Sequence, residues 1–166
     1  SSENKRILRK TDGLEMEVIA LPHTDYTWHV GKCAKDFYDT KFAPGTFSAN
    51  KVKELLTDPE KSNFNTLFIY KSDETPIGYS ICFESEHLLH YSYPFYDLGT
   101  DQKNLGMGMM LRAILHAQER GKTHVYLGST QRPSDTYKLQ FKGLEWFDGK
   151  SWTSDLDKLK MILAEL

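Results

Sequence analysis

Lys103-Asn104-Leu105-Gly106-Met107-Gly108 is the stretch on which the reading of this chain turns. A β-rich run ends just before it, at Phe95-Tyr96-Asp97. Beyond it, Met107, Met110, Leu111, Ile114 and Leu115 recur at helical spacing until about Gly121. The apolar period thus changes from strand-like to helical across a junction that holds two glycines. Small residues there let a ligand approach the backbone, and the first N–H groups of the helix, with its dipole, attract phosphate oxygens. The segment predicts binding of a phosphate-bearing substrate by Lys103, Asn104, Leu105, Gly106, Met107 and Gly108. A tight helix start with no ligand is the other reading of the same residues.

Working outward, residues 14–19 alternate apolar with charged side chains, which predicts a half-buried first strand. Asp25 is placed to cap a helix over 26–38 that breaks at Ala43-Pro44-Gly45, and Ser48 precedes a shorter helix carrying Val52, Leu55 and Leu56. Residues 64–70 and 77–83 read as a hairpin with a loop of several residues, and 88–95 as a third strand. Past the Met-rich helix, 125–128 predicts a short buried strand and 133–141 a helix opened by Pro133. Two β candidates then flank Asp148-Gly149, and an amphipathic helix covers 155–166. The order predicts an α/β fold with a mixed central sheet flanked by helices. A charged, frayed segment is expected at 1–12, followed by one domain over 13–166.

The 166 residues suffice for a sizeable core, and the 39% hydrophobic and 27% charged shares are ordinary for a globular chain, so disorder is not expected. No apolar run approaches the roughly 18 to 20 residues that span a bilayer, which predicts a cytoplasmic protein without membrane contact. Cys33 and Cys82 form no CxxC pair, and the histidines have no ligand cluster at metal spacing, so neither a zinc site nor a resident cofactor is expected. The net charge of -2 argues against a general nucleic-acid binder. Residues 103–150, however, carry eight Lys/Arg against four Asp/Glu, enough for a local phosphate-facing surface.

The order of a three-strand meander, helix, strand and helix resembles the GNAT acyltransferases, and Lys103, Gly106 and Gly108 resemble their acyl-CoA loop. A more specific resemblance covers residues 91–152. There Tyr96-Asp97, the Leu105-Gly106 helix start, Val125-Tyr126-Leu127-Gly128 and Tyr137-Lys138…Phe141-Lys142-Gly143-Leu144-Glu145 follow one another as in arginyl- and leucyl-tRNA–protein transferases of the N-degron pathway. Gly143 stands where that family usually has proline. The family's common cysteine-rich N-terminal region has no counterpart here, and the 129–135 loop is polar where an aromatic, cysteine-bearing segment is usual.

The resemblance implies a GNAT-like acyl-N-acyltransferase fold and an aminoacyl-tRNA–protein transferase. Its partners would be a charged tRNA, bearing arginine or leucine with arginine favoured, and a protein N-terminus, an acidic residue favoured. An acyl-CoA-dependent N-acetyltransferase and a non-catalytic GNAT-like binding module are the alternatives. Either reaction needs an amine deprotonated, an oxyanion held and a leaving group protonated. Asp97 is the candidate acceptor of the amine's hydrogen bond, or else a turn cap. Tyr137 is the candidate donor to the leaving oxygen or thiolate, or else a core tyrosine. Glu145 is the candidate partner of a cationic substrate group, or else of Lys142 or Lys150. Lys103, Arg112, Arg132, Lys138 and Lys142 could contact phosphates, and Tyr93, Phe95, Tyr96 and Trp146 could stack on a terminal adenine.

Overall fold

A computed structural model describes residues 1–165; the last position of the predicted closing helix, Leu166, lies outside them. Strands β1 (Leu14–Ala20), β2 (Thr66–Ser72), β3 (Thr75–Glu84), β4 (Leu88–Tyr96) and β5 (His124–Tyr126) form one sheet in sequential order. The first three pairings are antiparallel and β4–β5 is parallel, so the sheet is mixed as predicted. Helix α4 (Leu105–Glu119) covers one face, and α2 (Trp28–Lys41) with α3 (Ala49–Thr57) covers the other. The continuous apolar run Leu67-Phe68-Ile69-Tyr70 of β2 follows from this sandwiching. Phe68 and Tyr70 join the core under α4, while Leu67 and Ile69 join the core under α2 and α3. A small hairpin of β6 (Trp146–Phe147) and β7 (Trp152–Thr153) and helix α5 (Leu156–Ala164) complete the chain.

Local chemistry explains several boundaries. The Ser48 hydroxyl accepts the Lys51 N–H at 3.1 Å and the Asp155 carboxylate accepts the Lys158 N–H at 3.0 Å, opening α3 and α5. The predicted cap at Asp25 is displaced, because α2 begins at Trp28 after Thr27. The β2–β3 loop is tighter than predicted: Asp73 and Glu74 take φ of 48° and 67°, which closes a two-residue turn and draws Pro76 into β3 opposite Lys71. In β4, Ile81 faces Tyr93 while Cys82 faces Tyr91, leaving Ser92 as an extra residue, a β-bulge. The bulge reverses the strand's alternation. Leu89 and Tyr91 lie in the core under α4, whereas Phe95, also odd-numbered, lies in the core under α2.

The opening segment, expected to fray, instead forms helix α1 (Ser2–Lys10). The Ser1 hydroxyl caps Asn4, Ile7 is buried, and Thr11 is fully buried against α4. Gly108 makes this contact possible, since a Cβ there would sit 2.8 Å from Thr11 Cγ2. Arg112, one turn on, donates to Leu14 O (2.6 Å), Thr11 Oγ1 (2.9 Å), Gly108 O (3.2 Å) and the Thr11 carbonyl. Replacement of Gly108 by alanine is expected to push α1 off α4 and to lower stability by about 1–3 kcal/mol, read as a lower urea midpoint. An unchanged midpoint would show that α1 contributes little to the fold.

Candidate functional site

β5 pairs with β4 only from Leu88 to His90 and then ends at Tyr126, so the two strands part where β4 bends at its bulge. Leu127 and Gly128, predicted to extend β5, have left it, and Gly128 turns away at φ 78°. The gap opens into a cavity of about 750 Å3. Its floor is β4 from Tyr91 to Tyr96, and one wall is the end of α2, with Phe37, Tyr38, Lys41 and Phe42. The opposite wall combines the start of α4 with the 127–138 segment. Tyr38 donates its hydroxyl to Pro94 O at 2.9 Å, which ties α2 to the unpaired edge of β4.

Asn104 enters α4 in the left-handed conformation, φ 60°, and its side chain makes no capping bond. The N–H of Gly108 is the first to reach a helical partner, Asn104 O at 2.9 Å. The three preceding N–H groups, on Leu105, Gly106 and Met107, therefore sit at a cavity-lining helix mouth without that cap. Gly106 lets the Tyr96 ring lie against this first turn, because a Cβ there would lie 3.3 Å from Tyr96 Cε1.

The helix predicted over 133–141 is present at Pro133–Gln140 as a 3-10 helix. Asp135, 7% exposed, accepts the N–H groups of Gln131 (3.0 Å) and Arg132 (3.1 Å) and so fixes the turn that opens it. Lys138, also 7% exposed, donates to Ser129 O at 2.6 Å. Burial draws the Lys138 ammonium below its ordinary value, with Asp135 opposing the shift. The Arg132 guanidinium lies 4.5 Å over the Phe42 ring and 3.7 Å from Asp135 Oδ1, bridging the two walls at the cavity mouth. Tyr137 lines the cavity, and burial, followed by the charge of Asp135, pushes its phenol above the ordinary value.

The predicted site residues divide sharply. Asn104, Leu105, Gly106, Met107, Tyr137 and Lys138 are brought together around the cavity, as are Tyr93, Tyr96 and Arg132. Asp97 is exposed beyond it, with its carboxylate accepting the Gly99 N–H at 2.8 Å in a turn. Glu145 and Lys142 are exposed on the segment before β6 and do not line the cavity. Lys103 points into a separate hollow beside α1. Gly108 is buried against Thr11, Arg112 is engaged by the α1–β1 junction, Phe95 is wholly buried, and Trp146 donates its indole N–H to Asp155 O. The ammonium of Lys138, read from sequence as a phosphate contact, holds the 127–129 loop instead. Sequence reasoning missed the contribution of α2 and the Asp135 turn. The Arg132–Asp135 spacing at the start of a helix was the available signal for the latter.

The sequence model for "Arginine-tRNA-protein transferase, C terminus" matches residues 34–148. An aspartate/glutamate leucyltransferase of Ruegeria pomeroyi is 27% identical over 162 residues, 95% of this chain and 58% of that protein. Another protein of that name, from Ruegeria sp. strain TM1040, is 31% identical over 124 residues, 72% of this chain and 45% of that protein. The chain thus spans about half the length of the curated relatives it matches. Among solved structures, a GNAT family acetyltransferase of Staphylococcus aureus superposes with a TM-score of 0.54 at 11% identity, over 84% of this chain and 98% of that one. That likeness shows a GNAT-like fold and nothing finer. With the family model covering well over half of its residues, the chain belongs to the arginine-tRNA-protein transferase C-terminal family.

Proposed function

We propose that this chain carries the catalytic centre for moving an aminoacyl group from the 3′ end of a charged tRNA to the α-amine of a protein. One observation carries the reading. Every residue lining the large cavity, from Phe37 to Lys138, falls inside the 34–148 segment that matches the family. In this reading the terminal adenosine and its phosphate lie at the mouth of α4, against the N–H groups of Leu105 to Met107. The outer peptide edge of β4, which has no strand partner past His90 among the described residues, receives the substrate's main chain.

The chemistry balances on Tyr137. The acceptor amine attacks the ester carbonyl, the new C–N bond forms, and the C–O bond to the 3′ oxygen breaks. The Tyr137 phenol, which lines the cavity, gives its proton to the departing oxygen and takes one from the nitrogen. Leucine fits as the donated residue better than arginine, because Phe37, Tyr96, Met107, Met110 and Leu127 line the cavity. Among the described residues the one carboxylate lining it, on Asp135, already accepts two N–H groups, and Glu145 lies elsewhere. Arg132 and Lys41 at the mouth suit an acceptor that begins with Asp or Glu.

Labelled leucine supplied on tRNA is expected to appear on peptides beginning with Asp or Glu at least about 10-fold faster than on an Ala peptide, a difference of ~1.4 kcal/mol in the barrier. Arginine would then transfer poorly. Transfer of acetyl from acetyl-CoA to the same peptides, with no transfer from either tRNA, would overturn the proposal.

A further inference from the structure

Helix α1, together with Lys103, forms a basic strip beside the mouth of α4. We propose that it receives the sugar-phosphate backbone of the donor RNA outside the catalytic cavity, an inference that rests on the transferase reading. Three observations converge on this strip. First, α1 is firmly placed, since Ile7 and Thr11 are buried and Arg112 grips the α1–β1 junction from α4. Second, its outward side is cationic. Arg6 is paired with Glu3, but Lys5, Arg9 and Lys10 are exposed and form no ion pair among the described residues.

Third, Lys10 and Lys103 meet across a hollow of about 610 Å3 that Ser72, Thr100, Asp101 and Gln102 complete. Gln102 also lines the large cavity, so it forms the ridge between the two spaces. Its amide donates to Lys10 O at 3.1 Å and Lys103 O at 3.0 Å, which fixes the strip relative to the helix mouth. A strand whose 3′ end enters the cavity can cross this ridge and continue along α1. Among the described residues lining the hollow, Lys10 and Lys103 outnumber the single acid, Asp101.

Charge complementarity selects a polyanion, and the burial of Ile7 favours RNA over a membrane. With Ile7 turned inward, α1 lacks the broad apolar face that an interfacial helix buries among lipids. Phosphate contacts of this kind position a substrate without reading its sequence.

The test compares the chain with a triple variant, Lys5→Gln, Arg9→Gln and Lys10→Gln, whose substitutions keep helix propensity. Two donors are used: leucyl-tRNA and 3′-leucyl-adenosine, which has the ester but no phosphate backbone. The variant is expected to lose at least about 10-fold in kcat/KM for leucyl-tRNA and to keep its rate with leucyl-adenosine. The slope of log K against log salt for tRNA binding should become shallower by roughly 2 to 3, about 0.9 per lost phosphate contact. Equal tRNA affinity and salt slope in the two proteins would overturn the proposal. So would loss of binding to phosphatidylglycerol vesicles with tRNA binding unchanged. If neither donor reacts but the salt slope still changes, the transferase reading fails while the RNA strip stands.

Discussion

Valine in place of Gly106 is expected to lower kcat/KM for leucyl-tRNA by at least about 100-fold, equivalent to ~2.7 kcal/mol of barrier, while the chain stays folded. Gly106 occupies the first turn of α4, where the N–H groups at the cavity are uncapped by Asn104. Even a single Cβ would come within 3.3 Å of Tyr96 Cε1, and the two methyls of valine would press on that ring, which lines the cavity beside the helix mouth. Helix α4 retains its contacts further along, through Met109, Met110 and Ala113, so the global unfolding transition should move little. Stopped-flow binding and single-turnover transfer would separate the effects. Wild-type affinity and rate in the variant would mean that the donor does not use this helix mouth.

Alanine at Asp135 should produce the other large effect, combining lost stability with lost activity. The buried carboxylate accepts two main-chain N–H groups and lies beside Arg132 and Lys138, so its removal leaves unpaired donors and a buried ammonium with less compensation. A loss of about 2–4 kcal/mol is expected in chemical denaturation. The turn that presents Arg132 and Tyr137 to the cavity should loosen with it, cutting transfer at least about 10-fold at temperatures where the variant is folded. Asparagine would keep one acceptor oxygen and should recover part of the stability. If Asp135→Ala unfolds no earlier than the parent, the carboxylate does not organise the cavity wall.

The elements were more legible in the sequence than the site. Short-range signals such as the Ser48 cap, the Pro44 break and the Met-rich stripe act within a few residues, and the structure keeps them. The cavity, by contrast, is assembled by tertiary contacts. Tyr38 meets Pro94 across 56 positions of sequence, and Arg132 covers Phe42 from the far half of the chain. Resemblance drew Asp97 and Glu145 into the site, yet local turn chemistry claims the first and the second stays on the surface. Gly108 was read as room for a ligand and proves to be room for Thr11. Two demands for a small residue, one from a substrate and one from a neighbouring helix, look identical along the chain.

The extra residue at Ser92 makes the length of this strand a matter of parity. Loss or gain of one position between Tyr91 and Phe95 would exchange the inward and outward aromatics of the cavity floor, while loss or gain of two would preserve their facing. Relatives that share this floor should therefore vary here in side-chain identity or in even steps of length, and single-residue gaps should collect in the connections at either end.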